Sequence, residues 1–446
     1  MKSLGITIAI LLVWSAGILS SCSPVSTPAA EPAPPTVEPT ESPLSATEEP
    51  SPSPLPEDIT PEFVQATEIP FEPVKQPAAP PHFTEGDKVP FESIHMINET
   101  DGWMIGSSYV FTTRDGGQSW KEATPPQPIE DGTLAQVYGI FPDEETAWVV
   151  YSLDLTGTVD GADNTYLQIP PEASVWSTFD AGETWIASPP LMHEVYGDAT
   201  WAEFAAVDDT TGWMMVRGVY IGAGTHYVAQ LFQTVDGVTW IPIPDGDVGV
   251  DYTGMVFADD EIGWLAWKTT GAYAAAPPEV AMTSDGGYNW DVMDLPPPDD
   301  APGLFSQYEY CEPYQPNLLS ARSIRLLVAC FDYDDPPKEY TSYLYASDDA
   351  GENWQIYPLP DKVNASGYTL FFFDAENCLL LGRDIYRSED GGETWDLIKT
   401  VNWDGQFSFV DDQTGWAIAR NGDELALVQT TNGGETWSNI VPVAMK

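Results

Sequence analysis

Ser388-Glu-Asp390-Gly-Gly392-Glu-Thr394-Trp395 is one of the clearest copies of a short segment that recurs along the chain. We call each copy a box. Other copies of full length are Thr113 to Trp120, Thr178 to Trp185, Thr283 to Trp290, Ser347 to Trp354 and Thr430 to Trp437, the last with Asn432 in place of Asp. The copy from Thr234 to Trp240 is one residue short, so its turn must be tightened or reshaped.

The residues of the box predict a β-hairpin. A short acidic side chain can accept hydrogen bonds from the backbone of its own turn, and glycine supplies the positive φ that other residues resist. The indole then packs between neighbouring strands. The predicted acceptors are Asp115, Asp180, Asp236, Asp285, Asp349, Asp390 and Asn432, and the predicted indoles are Trp120, Trp185, Trp240, Trp290, Trp354, Trp395 and Trp437.

A second element precedes most boxes: an alternating apolar stretch, an acidic turn and then Gly-Trp. It occurs at Trp103, Trp213, Trp264 and Trp416, with weaker forms at Trp148 and Leu379 and only an apolar run, Ile324 to Val328, in the fifth repeat. Successive box tryptophans are about 40 to 65 residues apart, which suits four short strands and variable loops. The sequence therefore predicts an all-β, seven-bladed β-propeller of four-stranded antiparallel blades, with every box between third and fourth strands on one face.

These boxes resemble the Asp-box (BNR) repeats of sialidases, sortilin-type receptors and xyloglucan-cleaving enzymes. The alternating strand, Gly-Trp and box in succession are most similar to the photosystem II assembly and stability factor family. That resemblance covers residues 83–446 as a repeat pattern. It implies a seven-bladed propeller that helps to assemble or stabilise a membrane complex, and because this repeat serves many unrelated functions it specifies the fold better than the role. How the ring closes stays open, since a strand near Val89 would be surplus.

The amino-terminal residues predict export. Lys2 precedes an apolar run from Leu4 to Leu19 of signal-peptide length, and the residues before Cys22 resemble the lipobox of bacterial lipoproteins. We expect a signal peptide over 1–21, a lipidated Cys22, a Pro/Glu/Ser/Thr-rich disordered tether over 22–82 and the propeller over 83–446. The predicted location is the cell membrane or cell surface; an ordinary secretory signal or an uncleaved anchor are the alternatives.

Charge limits the partners. The formal net charge is −53 and the chain has only 16 Lys plus Arg, so no basic stripe exists to neutralise phosphates and nucleic acid is excluded. Strong acidity favours solubility and repels anionic headgroups, which fits membrane attachment through the lipid alone. We expect a monomeric propeller without a cofactor.

The remaining cysteines and histidines predict a disulfide and no zinc site. Cys311 and Cys330 lie in one repeat of an exported chain and can pair, whereas Cys378 sits in an apolar run and is expected to be a buried thiol. There is no Cys/His cluster with ligand spacing. Acidic runs near Asp163, Asp299 and Asp334 could supply oxygen ligands to calcium, but solvated acidic loops are favoured because none has the spacing of a known calcium loop.

The face opposite the boxes is the expected binding surface. Loops between second and third strands carry the long insertions, at about 153–173, 218–228, 269–279 and 332–342, and are rich in tyrosine. Exposed aromatics on loops of a rigid scaffold are typical of binding surfaces, although each could instead cover loop backbone. The candidate ligand-face residues are Tyr166, Tyr220, Tyr227, Tyr273, Tyr310, Tyr314, Tyr333 and Tyr340.

Function is predicted to be non-catalytic: a surface-anchored scaffold that docks a protein, peptide or glycan. No catalytic residue is assigned. A sialidase needs clustered arginines, and this chain has no Arg-Ile-Pro motif, although Arg217, Arg383 and Arg420 could form a small anion site. The alternative is a glycan-directed hydrolase of sialidase or xyloglucanase type, for which carboxylates alone have no diagnostic value among 69 Asp and Glu.

Overall fold

The structure is a computed structural model that describes part of the chain. It covers residues 71–126, 136–159, 162–193, 198–221, 225–244, 252–267, 277–332, 340–361 and 363–445. Within these ranges, the side chains of 154–167, 198–200, 219–221, 225–228, 252 and 267 are not described. The predicted signal peptide, Cys22 and most of the tether lie outside the described residues.

The described chain forms seven antiparallel sheets, one per blade. In chain order, β1 (Lys75–Pro77) precedes blade 1, which contains β2 (Ser93–Met96), β3 (Gly102–Gly106), β4 (Tyr109–Thr113) and β5 (Ser119–Glu122). Blade 2 contains β6 (Gln136–Ile140), β7 (Thr146–Val159), β8 (Ala162–Gln168), β9 (Trp176–Phe179) and β10 (Thr184–Ala187). Blade 3 contains β11 (Asp198–Ala206), β12 (Gly212–Ile221), β13 (Thr225–Thr234) and β14 (Ile241–Pro242).

Blade 4 contains β15 (Tyr252–Phe257), β16 (Gly263–Trp267), β17 (Glu279–Thr283) and β18 (Asp291–Asp294). After a 3₁₀ turn at Leu304–Ser306, blade 5 contains β19 (Tyr310–Pro313), β20 (Asn317–Ser320), β21 (Ser323–Phe331), β22 (Tyr340–Ser347) and β23 (Gln355–Pro358). A second 3₁₀ turn, Ala365–Gly367, precedes blade 6, with β24 (Thr369–Phe372), β25 (Cys378–Leu381), β26 (Asp384–Ser388) and β27 (Asp396–Thr400). Blade 7 contains β28 (Asp404–Phe409), β29 (Thr414–Asn421), β30 (Glu424–Thr431) and β31 (Ser438–Ile440), and β32 (Val443–Ala444) ends the chain order.

The predicted seven-bladed all-β propeller is confirmed. Seven buried hydrophobic clusters lie between successive blades in the described residues, because each strand presents alternate side chains to the two neighbouring blades. One of them joins Met104 and Phe111 of blade 1 to Trp416 and Leu427 of blade 7. The last blade therefore packs directly against the first, and the ring is closed.

Strand number departs from the expected four in three blades. In blade 5, β19 and β20 both pair with β21, so the innermost position is shared by two short strands. In blade 2, β8 pairs with the far half of β7 and β1 adds to the outer edge beside β10. In blade 1, β32 adds to the outer edge parallel to β5.

Ring closure, which the sequence left open, comes from both ends of the described chain. The pairing of β32 with β5 ties the chain's end to blade 1. The segment before blade 1 joins it, because Gly86 N donates to Ala444 O (2.9 Å) and Ala444 N to Asp87 O (2.8 Å). Lys75–Pro77 lies inside the range 22–82 predicted as disordered tether; that part of the prediction is wrong, because the outer edge of blade 2 supplies hydrogen bonds that the segment cannot make alone.

The box turns have the hydrogen bonds that their composition suggests. In blade 6, Thr394 N donates to Asp390 Oδ1 (2.9 Å) and Thr394 Oγ1 to Oδ2 (2.6 Å), while Gly392 N donates to Ser388 Oγ (2.8 Å). These hydrogen bonds, led by that of the Thr394 hydroxyl, hold the pKa of Asp390 below its ordinary value. The box turn therefore closes on its own ionised carboxylate.

The shortened box of blade 3 is reshaped. Asp236 Oδ1 accepts hydrogen bonds from Val238 N (2.9 Å) and Thr239 N (2.6 Å). These donors lie two and three residues after the acid, whereas the backbone donor in each full-length box lies four residues after it. Two further boxes place alanine where the others have the first glycine, and Ala181 (φ 55°) and Ala350 (φ 65°) adopt the left-handed conformation there. This conformation costs an alanine about 1 kcal/mol.

The Gly-Trp indoles connect neighbouring blades. Trp213 Nε1 of blade 3 donates to Gly286 O in the box of blade 4 (2.8 Å), and Trp416 Nε1 of blade 7 donates to Gly116 O in the box of blade 1 (3.0 Å). The buried Nε1 atoms of Trp148 and Trp264 have no hydrogen-bond partner among the described residues. Trp148 packs with blade 3, whose box is the shortened one, and Trp264 packs with blade 5, whose box has Ala350 in place of the first glycine. The hydrogen bond from the indole to the box of the next blade is therefore absent at these two irregular turns.

Candidate binding face opposite the box turns

The propeller has two different faces. We call the face with the box turns the box face, and the opposite one, where second strands end and third strands begin, the loop face. Phe331 at the end of β21 and Tyr340 at the start of β22 are directly opposite in register and mark the loop face of blade 5.

The long insertions of blades 2 and 3 form strands rather than the predicted loops. β7 has 14 residues and pairs with β8 as far as Val159 and Ala162, and β12 and β13 pair over 10 residues each. Threonine, tyrosine and valine are abundant in both, and such residues favour extended chain. Two neighbouring blades therefore carry hairpins that are longer than the 4- and 5-residue strands β25 and β26 at the same positions of blade 6.

Five of the eight predicted tyrosines have side chains that the structure does not describe. Tyr273 and Tyr333 lie outside the described residues. The backbones of Tyr166, Tyr220 and Tyr227 lie in β8, β12 and β13, and their side chains are not described.

The structure brings two of the other tyrosines together on blade 5. The rings of Tyr310 and Phe331 stack with centroids 5.9 Å apart and planes 24° apart, and Tyr340 lies opposite Phe331 on the next strand. All three side chains are half-buried. We call Tyr310, Phe331 and Tyr340 the aromatic cluster.

Tyr314 has a different position from the other predicted residues. Its backbone N donates to Leu327 O (2.9 Å), and its ring packs against the hydrophobic cluster between blades 5 and 6. Burial, and then the charge of Glu312, raise the pKa of its phenol. Tyr314 therefore contributes to the interior rather than to the rim.

A disulfide joins Cys311 and Cys330 immediately beside the aromatic cluster. The two cysteines are register partners on β19 and β21, one residue from Tyr310 and Phe331 respectively. Cys378 is a buried free thiol, and burial raises its pKa to about 12. The two strands that carry Tyr310 and Phe331 are therefore cross-linked, whereas the buried Cys378 thiol is unreactive at neutral pH.

Two carboxylates on the loop face were missed by the sequence analysis. Glu279 begins β17 and Asp294 ends β18, where they are register partners. Burial raises the pKa of Glu279, and the charge of Asp294 raises it further. Only the pairing register brings them together, and in the sequence they are two acids among many.

Two of the three arginines considered as a possible anion site, Arg217 and Arg383, have contacts of their own. Arg383 Nε and Nη2 donate to Asp404 of the next blade (2.6 and 2.7 Å). The guanidinium of Arg217 lies over the Trp201 ring at 4.6 Å. Among the described residues, no group of three or more His, Cys, Asp or Glu is arranged to hold a metal ion.

A cavity away from the loop face was also missed. It lies at the outer rim between blades 1 and 2, beneath residues 78–85, and has a volume of about 460 Å³. We call residues 78–85 the strap. The strap has no apolar alternation, so nothing in its sequence indicates that it covers a cavity.

No protein-family model matches the sequence, and neither does any curated protein. Solved structures similar to this chain include "YCF48 bound to D1 peptide" (16% identity, 80% of this chain and 99% of that chain, TM-score 0.47). YCF48 from Cyanidioschyzon merolae is another (14% identity, 80% and 98%, TM-score 0.44).

The glycoside hydrolase family 74 enzyme of Niastella koreensis is similar too (12% identity, 78% of this chain and 62% of that chain, TM-score 0.35). Binding proteins and enzymes thus both occur among the similar structures, and at these identities the likeness concerns the fold alone. In the described part of the chain, no helix has the length and apolar character that a membrane span requires.

Proposed function

We propose that this chain is a non-catalytic binding scaffold, held at the cell surface by a lipid on Cys22, that docks a protein or peptide partner on its loop face. Such a partner would belong to a membrane complex whose assembly or stability the scaffold aids. The observation that carries the proposal is the aromatic cluster of blade 5, in which half-buried rings are fixed beside a disulfide.

The geometry of the cluster favours binding. Tyrosine and phenylalanine provide large contact areas at low entropic cost when their rotamers are already held. The stacking of Tyr310 on Phe331 and the neighbouring disulfide reduce the freedom that a partner would otherwise have to restrict. Glu309 N donates to Asp332 Oδ1 (3.1 Å), which joins the two chain segments at this rim.

The alternative function is a glycan-directed hydrolase, and Glu279 with Asp294 is the observation that favours it. A raised carboxyl pKa beside a second carboxylate is typical of glycosidase acids. However, the two residues are register partners on adjacent strands, whose Cβ atoms are about 5 Å apart. This spacing is too short for an inverting glycosidase, whose two carboxyl groups are about 6.5–9.5 Å apart, and leaves only the retaining mechanism.

The test is capture from a membrane extract of the producing cells by the full chain, set beside a glycan array and a polysaccharide hydrolysis assay. We expect one protein partner to be captured, and Tyr310→Ala with Tyr340→Ala to abolish capture without unfolding. The matched control is Tyr288→Ala, because Tyr288 is an exposed tyrosine in the box of blade 4.

Capture that survives the loop-face double variant would contradict the proposal. Saccharide-selective binding lost in the same variant would make the partner a glycan. Hydrolysis that is lost in Glu279→Gln would establish the alternative function.

A further inference from the structure

The cavity beneath the strap is lined by two blades and by both ends of the described chain. The strap provides Ala78, Ala79, Pro81 and Phe83, blade 1 provides Lys121 and Glu122, the box of blade 2 provides Gly182 and Glu183, and Met445 comes from the chain end. At about 460 Å³ the cavity has the size of small-molecule sites in proteins.

The strap is held in place at several points, so the cavity is a formed feature rather than a gap beside a loose segment. Ala78 N donates to Glu183 O (3.1 Å) and Ala79 N to Thr124 O (2.8 Å). Glu122, whose side chain is 3% exposed, accepts hydrogen bonds from His82 N (2.6 Å) and His82 Nδ1 (2.8 Å). The Phe83 ring contacts that of Tyr109 edge to face at 5.2 Å.

The lining is apolar with a surplus of negative charge. Three glutamates, Glu85, Glu122 and Glu183, face one lysine, Lys121, which is a net charge of −2. Lys121 pairs with Glu183, so its charge is already balanced. Glu122 lines the cavity beside its apolar wall. Burial raises the pKa of the Tyr151 phenol, and the charge of Glu122 adds to this shift.

A second cavity on the same rim provides a comparison. It lies between blades 7 and 1, has about 220 Å³, and is lined by apolar side chains together with Lys88. No carboxylate belongs to this lining. The two cavities therefore differ in the sign of the charge that they present.

We propose that the cavity beneath the strap is a binding site for a small organic cation, a primary amine carried on an aromatic or aliphatic body. The apolar body packs against Phe83, Pro81 and Met445, and the ammonium group lies at the carboxylate side of the cavity. This site is independent of the loop face, so it can exist whether or not the aromatic cluster docks a partner.

The experiment uses three probes of similar shape on the full chain: phenethylamine, 2-phenylethanol and 3-phenylpropanoate. Titration calorimetry and ligand-observed NMR at 0.15 M salt limit non-specific attraction to the acidic surface. We expect one saturable site for the amine, about tenfold weaker binding of the alcohol and no binding of the carboxylate. Equal binding of amine and alcohol, or no saturable amine binding, would overturn the proposal.

Two variants separate charge from shape. Glu85→Gln with Glu183→Gln removes the surplus charge, and we expect amine affinity to fall about tenfold while binding of the alcohol is unchanged. The matched control is Glu352→Gln with Glu435→Gln, which removes the same charge from the equivalent box position of blades 5 and 7. Equal losses in both pairs would mean that only the general field of the protein attracts the amine.

Ala79→Phe fills the cavity and is expected to abolish binding of amine and alcohol alike. Its control is Val441→Phe at the cavity between blades 7 and 1, which should leave both affinities unchanged. If Ala79→Phe lowers the thermal midpoint, the charge variant still tests the site. Undiminished amine binding by folded Ala79→Phe would place the amine elsewhere and refute the assignment.

Discussion

The two faces of the propeller show what the repeat conserves and what it leaves free. On the box face, six full-length turns share one hydrogen-bond pattern, from Thr113 in blade 1 to Thr436 in blade 7. On the loop face, blades 2 and 3 carry long hairpins and blade 5 carries a disulfide beside stacked rings. We conclude that the box face maintains the ring, whereas the loop face is where one blade can differ from the next without cost to the fold.

The largest expected effect is that a box tryptophan contributes more to the free energy of unfolding than a loop-face tyrosine does. Trp120 is fully buried between blades 1 and 7. Trp120→Ala is expected to lower the free energy of unfolding by about 3–5 kcal/mol, because it leaves a large cavity. Tyr340→Ala on the loop face should cost less than about 1 kcal/mol. Chemical denaturation measures both, and equal losses would remove the distinction between the faces.

The second largest expected effect is the loss of stability when the carboxylate that accepts the hydrogen bonds of one box turn is removed. Asp115 accepts hydrogen bonds from Ser119 N (2.9 Å) and Ser119 Oγ (2.6 Å). Asp115→Ala should cost about 2 kcal/mol, since charged acceptors contribute about 1.5–3 kcal/mol. Asp115→Asn should cost less than about 1 kcal/mol, because Asn432 in blade 7 accepts from Thr436 N and its Nδ2 donates to Thr436 Oγ1. A larger loss for Asn than for Ala in urea unfolding would contradict this account of the turn.

A smaller effect, an increase in stability, is expected when the alanine of either irregular box is replaced by glycine. Ala181→Gly and Ala350→Gly should each stabilise the protein by about 0.5–1 kcal/mol, because glycine adopts a positive φ without steric strain. The control is Ala123→Gly, a buried alanine without a positive φ, which should destabilise. Differential scanning calorimetry measures the changes, and destabilisation by both glycine variants would show that the turns are not strained.

The smallest expected effect is local and pH-dependent. His193 is buried, its Nε2 lies 3.0 Å from Ile169 O, and desolvation lowers its pKa. A folded state that favours the neutral imidazole is fully stabilised above the ordinary pKa of about 6.5 and loses this contribution as the pH falls below it. The amide hydrogens of Ile169, Glu172 and Ala173 should therefore exchange faster at pH 5.5 than at 7.5 after correction for intrinsic rates.

His193→Gln keeps a neutral donor at this position, and exchange in the variant should be insensitive to this pH change.

The box carboxylates affect stability at a lower pH than His193 does. Because hydrogen bonds lower the pKa of Asp390, its contribution is present above the ordinary pKa of about 3.9 and is lost at more acidic pH. Acid unfolding of the whole ring near pH 6 would contradict the assignment of His193 and the box carboxylates to different pH ranges.

How well a part of the propeller can be predicted from the sequence depends on how far apart in the chain its interacting residues lie. Each box is closed by residues within four positions of one another, so composition alone predicts the turn and the blade count, but not the positive φ of Ala181 and Ala350. The strap and β1 depend on edges supplied by blades 1 and 2, and Lys75-Gln76-Pro77 has no strand signal of its own. The raised pKa of Glu279 likewise depends on pairing register, which a single sequence does not specify.

The most direct test of the account compares partner capture by Asp115→Ala with capture by Tyr310→Ala/Tyr340→Ala, at equal concentrations of folded protein. We predict that the box variant melts at lower temperature but captures as well as the unmodified chain, whereas the loop-face variant melts closer to the unmodified chain and loses capture. Loss of capture in the box variant with retention in the loop-face variant would contradict the assignment of binding to the loop face.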